Sequence, residues 1–345
     1  MGGLFGRENI TSRADRIGEF QINSASYGEV VPVVLGTTRL SGNIIQWEDF
    51  TAHEHRKSQR VGKGGGSKNT SITYTYTVAV AIGLCEGPIK GIGKVWIDKE
   101  IYQYPNDKIG LTAYLGNREQ LPWPYMVGKH PDRALPYSGL AYMAGVVDMG
   151  DRAGLPTFNF EIQGQLLNTG DGVDVNPADY IVHVLKSIGI EETAIDGIDN
   201  FREYCKQADI LISTPPDGKA KKAQQIVSDI ADICNCYLFW SNDRLKIVPL
   251  ADKPIKTWDP HSQIQYDLTE DDFLSSSDGR LVEYKRKSNS ESYNTATVEF
   301  INRANSYEKE AVTFEVLADV QRNGMKPAPS YSAHYIYTKA RAMYL

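Results

Sequence analysis

The chain has 345 residues, 41% of them apolar and 23% charged, enough for about two domains with real cores; a disordered tail, a collagen-like repeat and a disulfide-dense miniprotein are excluded. Its net charge of −6 excludes a generally basic nucleic-acid coat, yet the charge is uneven: residues 51–70 set Arg56, Lys57, Arg60, Lys63 and Lys68 against Glu54 alone, a +4 window in a body of −10. Twenty tyrosines against ten phenylalanines bring apolar area with a polar handle, a mix favoured where a surface meets a partner.

Residues 1–27 are Gly-rich and polar and read as an arm or clamp. A strand is predicted over 30–36, with a turn at Ser41-Gly42 and a second strand over 43–47. The basic, glycine-rich window follows, and beyond it Ile72, Tyr74, Tyr76, Val78 and Val80 alternate. This predicts a hairpin whose two strands are joined by a long flexible loop over 51–70, a kind of loop that usually carries function. Residues 94–97 and 100–102 flank Asp98-Lys99 as a two-residue turn. The region 122–162 is rich in Pro, Gly and aromatics, with one clear strand over 157–162.

Helical texture begins at Asn176-Pro177, an N-cap followed by proline at the first helical position. Ile181, Val182, Val184, Leu185 and Ile188 make its apolar stripe. Further helices are predicted over 200–208 and 219–234, the latter leading into a hairpin of 237–240 and 245–248 around Ser241-Asn242-Asp243. Residues 295–302 form another strand, and 332–345 read as the start of a helix, as in a chain cut from something longer. The expected organisation is an arm (1–27), a first β domain (28–172), a helical segment (173–235) and a second β domain (236–345) incomplete at its C-terminus.

No motif for chemistry emerges. The glycine-rich window lacks the Walker A order, since Lys57 stands where the first glycine belongs and Gly66-Ser67-Lys68 replaces Gly-Lys-Ser/Thr. No Gly-x-Ser-x-Gly elbow occurs. His53 and His55 would share a face on a strand but are expected in the flexible loop, and they lack the spacing of a helical ligand pair. Cys85, Cys205, Cys234 and Cys236 read as buried thiols in a chain made in a reducing cytoplasm, not a disulfide framework. Leu268-Thr269-Glu270-Asp271-Asp272 reads as a turn or helix start. The longest apolar run, residues 78–85, is far short of a membrane span. For the basic window two readings stand: a tether that follows a polyanion, or solvated surface.

Several strings resemble phage tail-tip central hub proteins, the lambda J type and the gene-transfer-agent tail hubs. They are Tyr27-Gly28-Glu29-Val30-Val31-Pro32-Val33-Val34-Leu35-Gly36 followed by Gly42-Asn43-Ile44-Ile45-Gln46-Trp47; Cys85-Glu86-Gly87-Pro88-Ile89-Lys90-Gly91; and Leu135-Pro136-Tyr137-Ser138-Gly139-Leu140-Ala141-Tyr142 with Leu155-Pro156-Thr157-Phe158-Asn159-Phe160-Glu161-Ile162. The helix-to-hairpin unit 232–249 and the strand 292–301 have counterparts in the same order. Ser138 departs from the family's arginine. The resemblance implies a predominantly β α+β fold of tail-tube-like β-barrel hub domains with a small helical insertion. It further implies a homotrimer in the virion's tail tip, assembled in the bacterial cytoplasm. The implied partners are the distal tail protein, other tail-tip proteins, the C-terminus of the tape-measure protein and DNA in transit. No cofactor, metal or catalytic residue is implied, and no membrane insertion by this segment. The contrasting readings are a tail-associated wall-degrading enzyme and a carbohydrate- or receptor-binding module. On the hub reading, Arg56, Lys57, Arg60, Lys63 and Lys68 face the lumen or an axial partner.

Overall fold

The computed structural model describes residues 10–17, 30–60, 68–152, 154–217, 221–263, 266, 268–274, 281, 288 and 292–345. The protein is mostly β, with several sheets and a few helices and, among the described residues, no closed barrel. The predominantly β α+β class is as expected; the barrels are not, because the sheets keep free edges. The chain divides into two compact units.

The first unit comprises Met1–Val34, Arg39–Gln165 and Pro216–Lys219. Its strands are β1 (Ile10–Arg13), β2 (Thr37–Ser41), which begins in the second unit, β3 (Asn43–Arg60), β4 (Lys68–Glu86), β5 (Gly91–Ile97), β6 (Glu100–Gln103), β7 (Thr112–Leu115), β8 (Leu140–Gly150) and β9 (Phe158–Gln163); helix α1 (Pro124–Lys129) lies between β7 and β8. The predicted strand over 30–36 forms no regular strand, with one bridge at Leu35, and regular pairing starts at Thr37.

One sheet runs β1-β4-β8-β7 with β3 on the other edge of β4; a second runs β2-β9-β5-β6. The sequence of β4 states its own environment. Ile72, Tyr74, Tyr76, Val78, Val80, Ile82 and Leu84 point into one core with Met143, Val147, Phe160 and Ile162. The intervening residues are Thr73, Thr75 and Thr77 in the first half and Ala79 and Ala81 in the second. Polar partners mean one covered face, and small apolar ones mean two. Gly145 on β8 allows the closest approach: a Cβ there would stand 1.9 Å from the Gly110 carbonyl oxygen.

The second unit comprises Leu35–Thr38, Leu166–Pro215 and Ala220–Leu345. It holds α2 (Pro177–Ser187), β10 (Ile195–Asp196), α3 (Ile198–Gln207), α4 (Ala223–Ile233), β11 (Cys236–Ser241), β12 (Arg244–Pro249), β13 (Thr295–Asn302), β14 (Glu308–Glu315), α5 (Leu317–Asn323), β15 (Tyr331–Ala333) and α6 (Lys339–Tyr344). Asn176 caps α2, its Oδ1 accepting from the Ala178 N–H at 2.9 Å. Asn242 and Asp243, both with positive φ, make the β11–β12 turn of the kind that follows strand twist. The helices pack on one another and on the β11–β12 hairpin through Ile181, Phe201, Val227 and Ile230, all buried. They therefore belong with the C-terminal strands and are not a segment apart. The last helix begins only at Lys339, after β15 has paired with β13.

Candidate functional site

The window read as a flexible loop is largely strand. β3 and β4 pair from Asn43↔Gly83 to Arg60↔Lys68, unbroken beyond Thr51↔Thr77. The nine residues past that point carry the ribbon about 30 Å. β1 adds in parallel along the distal part, from Ile10↔Asn69 to Arg13↔Ile72, which places part of the predicted arm. The glycine run 62–67, with Lys63, lies outside the described residues, as do Tyr27, Gly28 and Glu29.

Strand periodicity sorts the predicted cations onto two faces. Ala52, Glu54, Arg56, Ser58 and Arg60 share a face with Tyr76, Tyr74, Ile72, Thr70 and Lys68. There Arg56 Nε donates to Glu54 at 2.5 Å, and Tyr74 OH donates to Glu54 at 3.0 Å. Arg13 donates to the Tyr74 oxygen at 2.6 and 2.8 Å. The bonds from Arg56 first, then Tyr74, hold the Glu54 carboxyl below its ordinary range. Arg60 and Lys68 stand directly opposite. Lys57 lies on the other face with Thr51, His53, His55 and Gln59. Among the described residues the cations thus form no single cluster: Arg56 is engaged by Glu54, Arg60 and Lys68 pair across the ribbon, and Lys57 lies on the other face.

His53 and His55, expected in a loop, sit on β3. Their Nε2 atoms lie 2.9 Å from Thr77 Oγ1 and 2.8 Å from Thr75 Oγ1. Among the described residues no group of three or more His, Cys, Asp and Glu is placed to hold a metal ion. All four cysteines are buried, and burial pushes the Cys85 thiol up to about 12.

Two polar clusters escaped the sequence reading. At the β3 bulge Asp49 takes a positive φ, and its Oδ2 accepts from Tyr125 OH at 2.7 Å and bonds His130 Nε2 at 2.9 Å. Arg133 reaches Glu48 at 2.6 Å. These bonds pin α1 and the turn after it onto β3. Tyr125 and then His130 hold the Asp49 carboxyl below its usual value, and the Tyr125 phenol rises to about 12.

In the second unit the buried Asp174 accepts from Ser213 Oγ (2.6 Å), both terminal nitrogens of Arg303 (2.5 and 3.1 Å) and Arg341 NH1 (2.7 Å). Arg341 also binds Asp171 and Asp209, and Arg303 lies 4.9 Å over the Tyr337 ring. Burial, which would lower the Arg303 guanidinium, is outweighed by Asp174, so its pKa is raised. Burial likewise acts to raise Asp171, and the Asp174 N–H and Arg341 outweigh it, leaving that carboxyl lowered. A lowered carboxylate bonded to arginine is the electrostatics of a brace, whereas a general acid needs its pKa raised. No spacing rule links residues 174, 213, 303 and 341; only the fold brings them together.

Among the described residues no helix is long and apolar enough to cross a membrane. Residues 222–335, from the start of α4 to β15, match the protein family described as "putative phage tail protein". That stretch includes the helix-to-hairpin unit and the β13 strand singled out in the sequence. No curated protein matches the chain. Among solved structures, the fold is similar to a chain in "Virion of native gene transfer agent (GTA) particle", with a TM-score of 0.64 and 17% identity over 99% of this chain and 74% of that one. Together they support a structural protein of a phage-like tail or virion.

Proposed function

We propose that this chain is the hub subunit at the distal end of a phage-type tail. Three copies close the tube, join it to the tip and receptor-binding apparatus, and gate the ejection of DNA. Its neighbours on this reading are the distal tail protein, other tail-tip proteins and the C-terminus of the tape-measure protein. The observation that carries the reading is the fold likeness over nearly the whole chain to a component of a gene-transfer-agent virion. The tail-family match over residues 222–335 adds to it. Arg56, Lys57, Arg60, Lys63 and Lys68 then face the lumen or an axial partner.

Imaging intact tails with this chain traced tests the proposal. Three copies at the distal end, with the ribbon turned inwards, are expected. A monomer absent from purified particles refutes the hub. A ribbon pointing outwards refutes the placement of the cations, as does unchanged ejection after Lys57, Arg60, Lys63 and Lys68 are neutralised. Release of peptidoglycan by the chain in a zymogram favours the wall-degrading enzyme instead.

A further inference from the structure

Among the described residues β11 pairs with β12 alone, in the unbroken antiparallel register Cys236↔Pro249 to Ser241↔Arg244. The Leu250 N–H donates to the Asn235 carbonyl at 2.9 Å, one step before β11 begins, which makes 235↔250 a hydrogen-bonded pair. Such pairs alternate along an antiparallel ladder, so Tyr237, Phe239 and Ser241 turn their backbone groups to β12. Those of Leu238 and Trp240 point to the open side, where no described residue bonds them. Edge strands are ordinarily blunted by charge, proline, a bulge or shortness, and the other described edges follow that rule. β3 and β14 hold several charged residues each; β1, β2, β6 and β10 carry Arg13, Arg39, Glu100 and Asp196; β7 and β15 run only four and three residues. β11 has six residues, Cys-Tyr-Leu-Phe-Trp-Ser, with no charge, no proline and no bulge. Tyr237 and Trp240 are more than half exposed, and Phe239 nearly half.

We propose that β11 pairs antiparallel with β11 of a second copy of this chain, about a twofold axis at Phe239. The register follows from the open backbone groups. Cys236 is buried, which leaves Leu238 and Trp240. Setting Leu238 of one copy opposite Trp240 of the other joins their free N–H and C=O groups in four hydrogen bonds. Phe239 then meets Phe239 of the second copy in the intervening, closer pair, where cross-strand aromatic contacts stabilise a sheet. The strand offers no charge for an acidic or basic partner to match, whereas its pattern is complementary to itself. Lys246 stands opposite Phe239 on β12, its Nζ 3.4 Å from Asp196. Three strand spacings, about 14 Å, would part it from its counterpart, beyond the screening length of about 8 Å at physiological salt. The two three-stranded sheets become one of six. A single strand pair belongs to the small, transient class of interface, so a dissociation constant of about 1–100 µM is expected. A twofold contact cannot be the threefold contact of a ring, so this proposal and the trimeric hub can fail separately.

Sedimentation velocity of the intact chain from about 1 to 200 µM reads the dimer. Phe239→Glu suits the hairpin, because the carboxylate faces Lys246 of its own chain, but it sets two carboxylates directly opposite across the axis. Like charges so placed destabilise a sheet, and the dimer should weaken about 10-fold. Phe239→Lys should weaken it in the same way, and an equimolar mixture of the two variants should associate again. That rescue requires Phe239 to meet its own counterpart, and it shows that both variants are folded. Leu121→Glu, at an apolar residue of the first unit that is 78% exposed, should leave the dimer unchanged. A chain monomeric across the whole range overturns the proposal. So does an association that Phe239→Glu leaves intact, one that Leu121→Glu weakens equally, or a mixture of the two Phe239 variants that stays monomeric.

Discussion

Replacing Asp174 by asparagine should be among the most damaging conservative changes in the second unit. The Asp174 side chain is 1% exposed, against 18% for Arg303 and 11% for Arg341. Asparagine preserves the shape and one acceptor but turns an amide NH₂ towards guanidinium groups and removes the carboxylate charge they share. Breaking a buried ion pair from one side costs about 3–5 kcal/mol. Arg341 keeps Asp171 and Asp209, and Arg303 keeps the Thr37 carbonyl and the Tyr337 ring, so the lower end, about 3 kcal/mol, is expected. With a urea slope of roughly 1–3 kcal/mol/M, the unfolding midpoint of this unit should fall by about 1–3 M. Hydrogen exchange gives a local reading. The Thr37 N–H donates to Ser213 Oγ and the Thr214 N–H to the Leu35 carbonyl, and both should lose protection. The double variant Asp174→Leu/Arg303→Met should be more stable than Asp174→Asn, because it leaves one fewer buried charge unpaired. A loss below about 1 kcal/mol for Asp174→Asn, with protection intact, would refute the reasoning, since a single surface pair is worth that much.

Gly145→Ala drives a methyl group to 1.9 Å from the Gly110 carbonyl oxygen, so thermal unfolding should report a loss of about 1–3 kcal/mol. Tyr142 is 1% exposed, and its hydroxyl has no hydrogen-bond partner among the described residues; Tyr142→Phe should leave stability unchanged or raise it by about 1 kcal/mol in a urea titration. The depressed Asp49 carboxyl gives a signed pH effect. Its stabilisation is complete above the ordinary carboxylate value, near pH 4, and is lost as pH falls through the lower folded value. The protection factors of the α1 amides, each rate taken against the intrinsic rate at the same pH, should therefore fall on acidification in the native chain and show no such step in Asp49→Asn.

The sequence carried regular elements wherever two residues of separation sufficed to reveal them. Asn176-Pro177 announces α2, Asn242-Asp243 the β11–β12 turn, and the strand expected over 295–302 is β13 to the residue. β8 was not legible because residues 141–147 are apolar or small without alternation, as befits a strand covered on both faces. The ribbon was misread for the opposite reason. Charged, hydroxyl-bearing and glycine residues signal a loop by composition, and only their order reveals the strand. Thr51, His53, His55, Lys57 and Gln59 alternate with Ala52, Glu54, Arg56, Ser58 and Arg60, and the register of β4 makes that alternation physical. The Asp174 cluster draws on residues up to 167 positions apart; no local pattern could have assembled it.

The tyrosines show why composition alone could not separate core from interface. Their number suggested a surface packed against partners. Among the described residues, however, Tyr74, Tyr76, Tyr142, Tyr180, Tyr204, Tyr307, Tyr335 and Tyr337 are buried within this chain. Their hydroxyls often fasten one segment to another. Tyr76 accepts from the Ile17 N–H at 2.8 Å, Tyr204 donates to the Cys234 carbonyl at 3.0 Å, and Tyr337 donates to the Thr214 carbonyl at 2.5 Å. A phenol that buries its ring and satisfies its hydroxyl is equally useful inside a fold and between folds. What distinguishes the two uses is exposure in the single chain. Among the described residues, Tyr237, Tyr266, Tyr293 and Tyr344, all more than half exposed, are the tyrosines most open to an assembly. Tyr237 stands beside Phe239 and Trp240 on β11, an edge strand of its sheet. If three copies pack as proposed, the contact belongs to residues of this kind, and the buried eight would be as necessary to a monomer as to a ring.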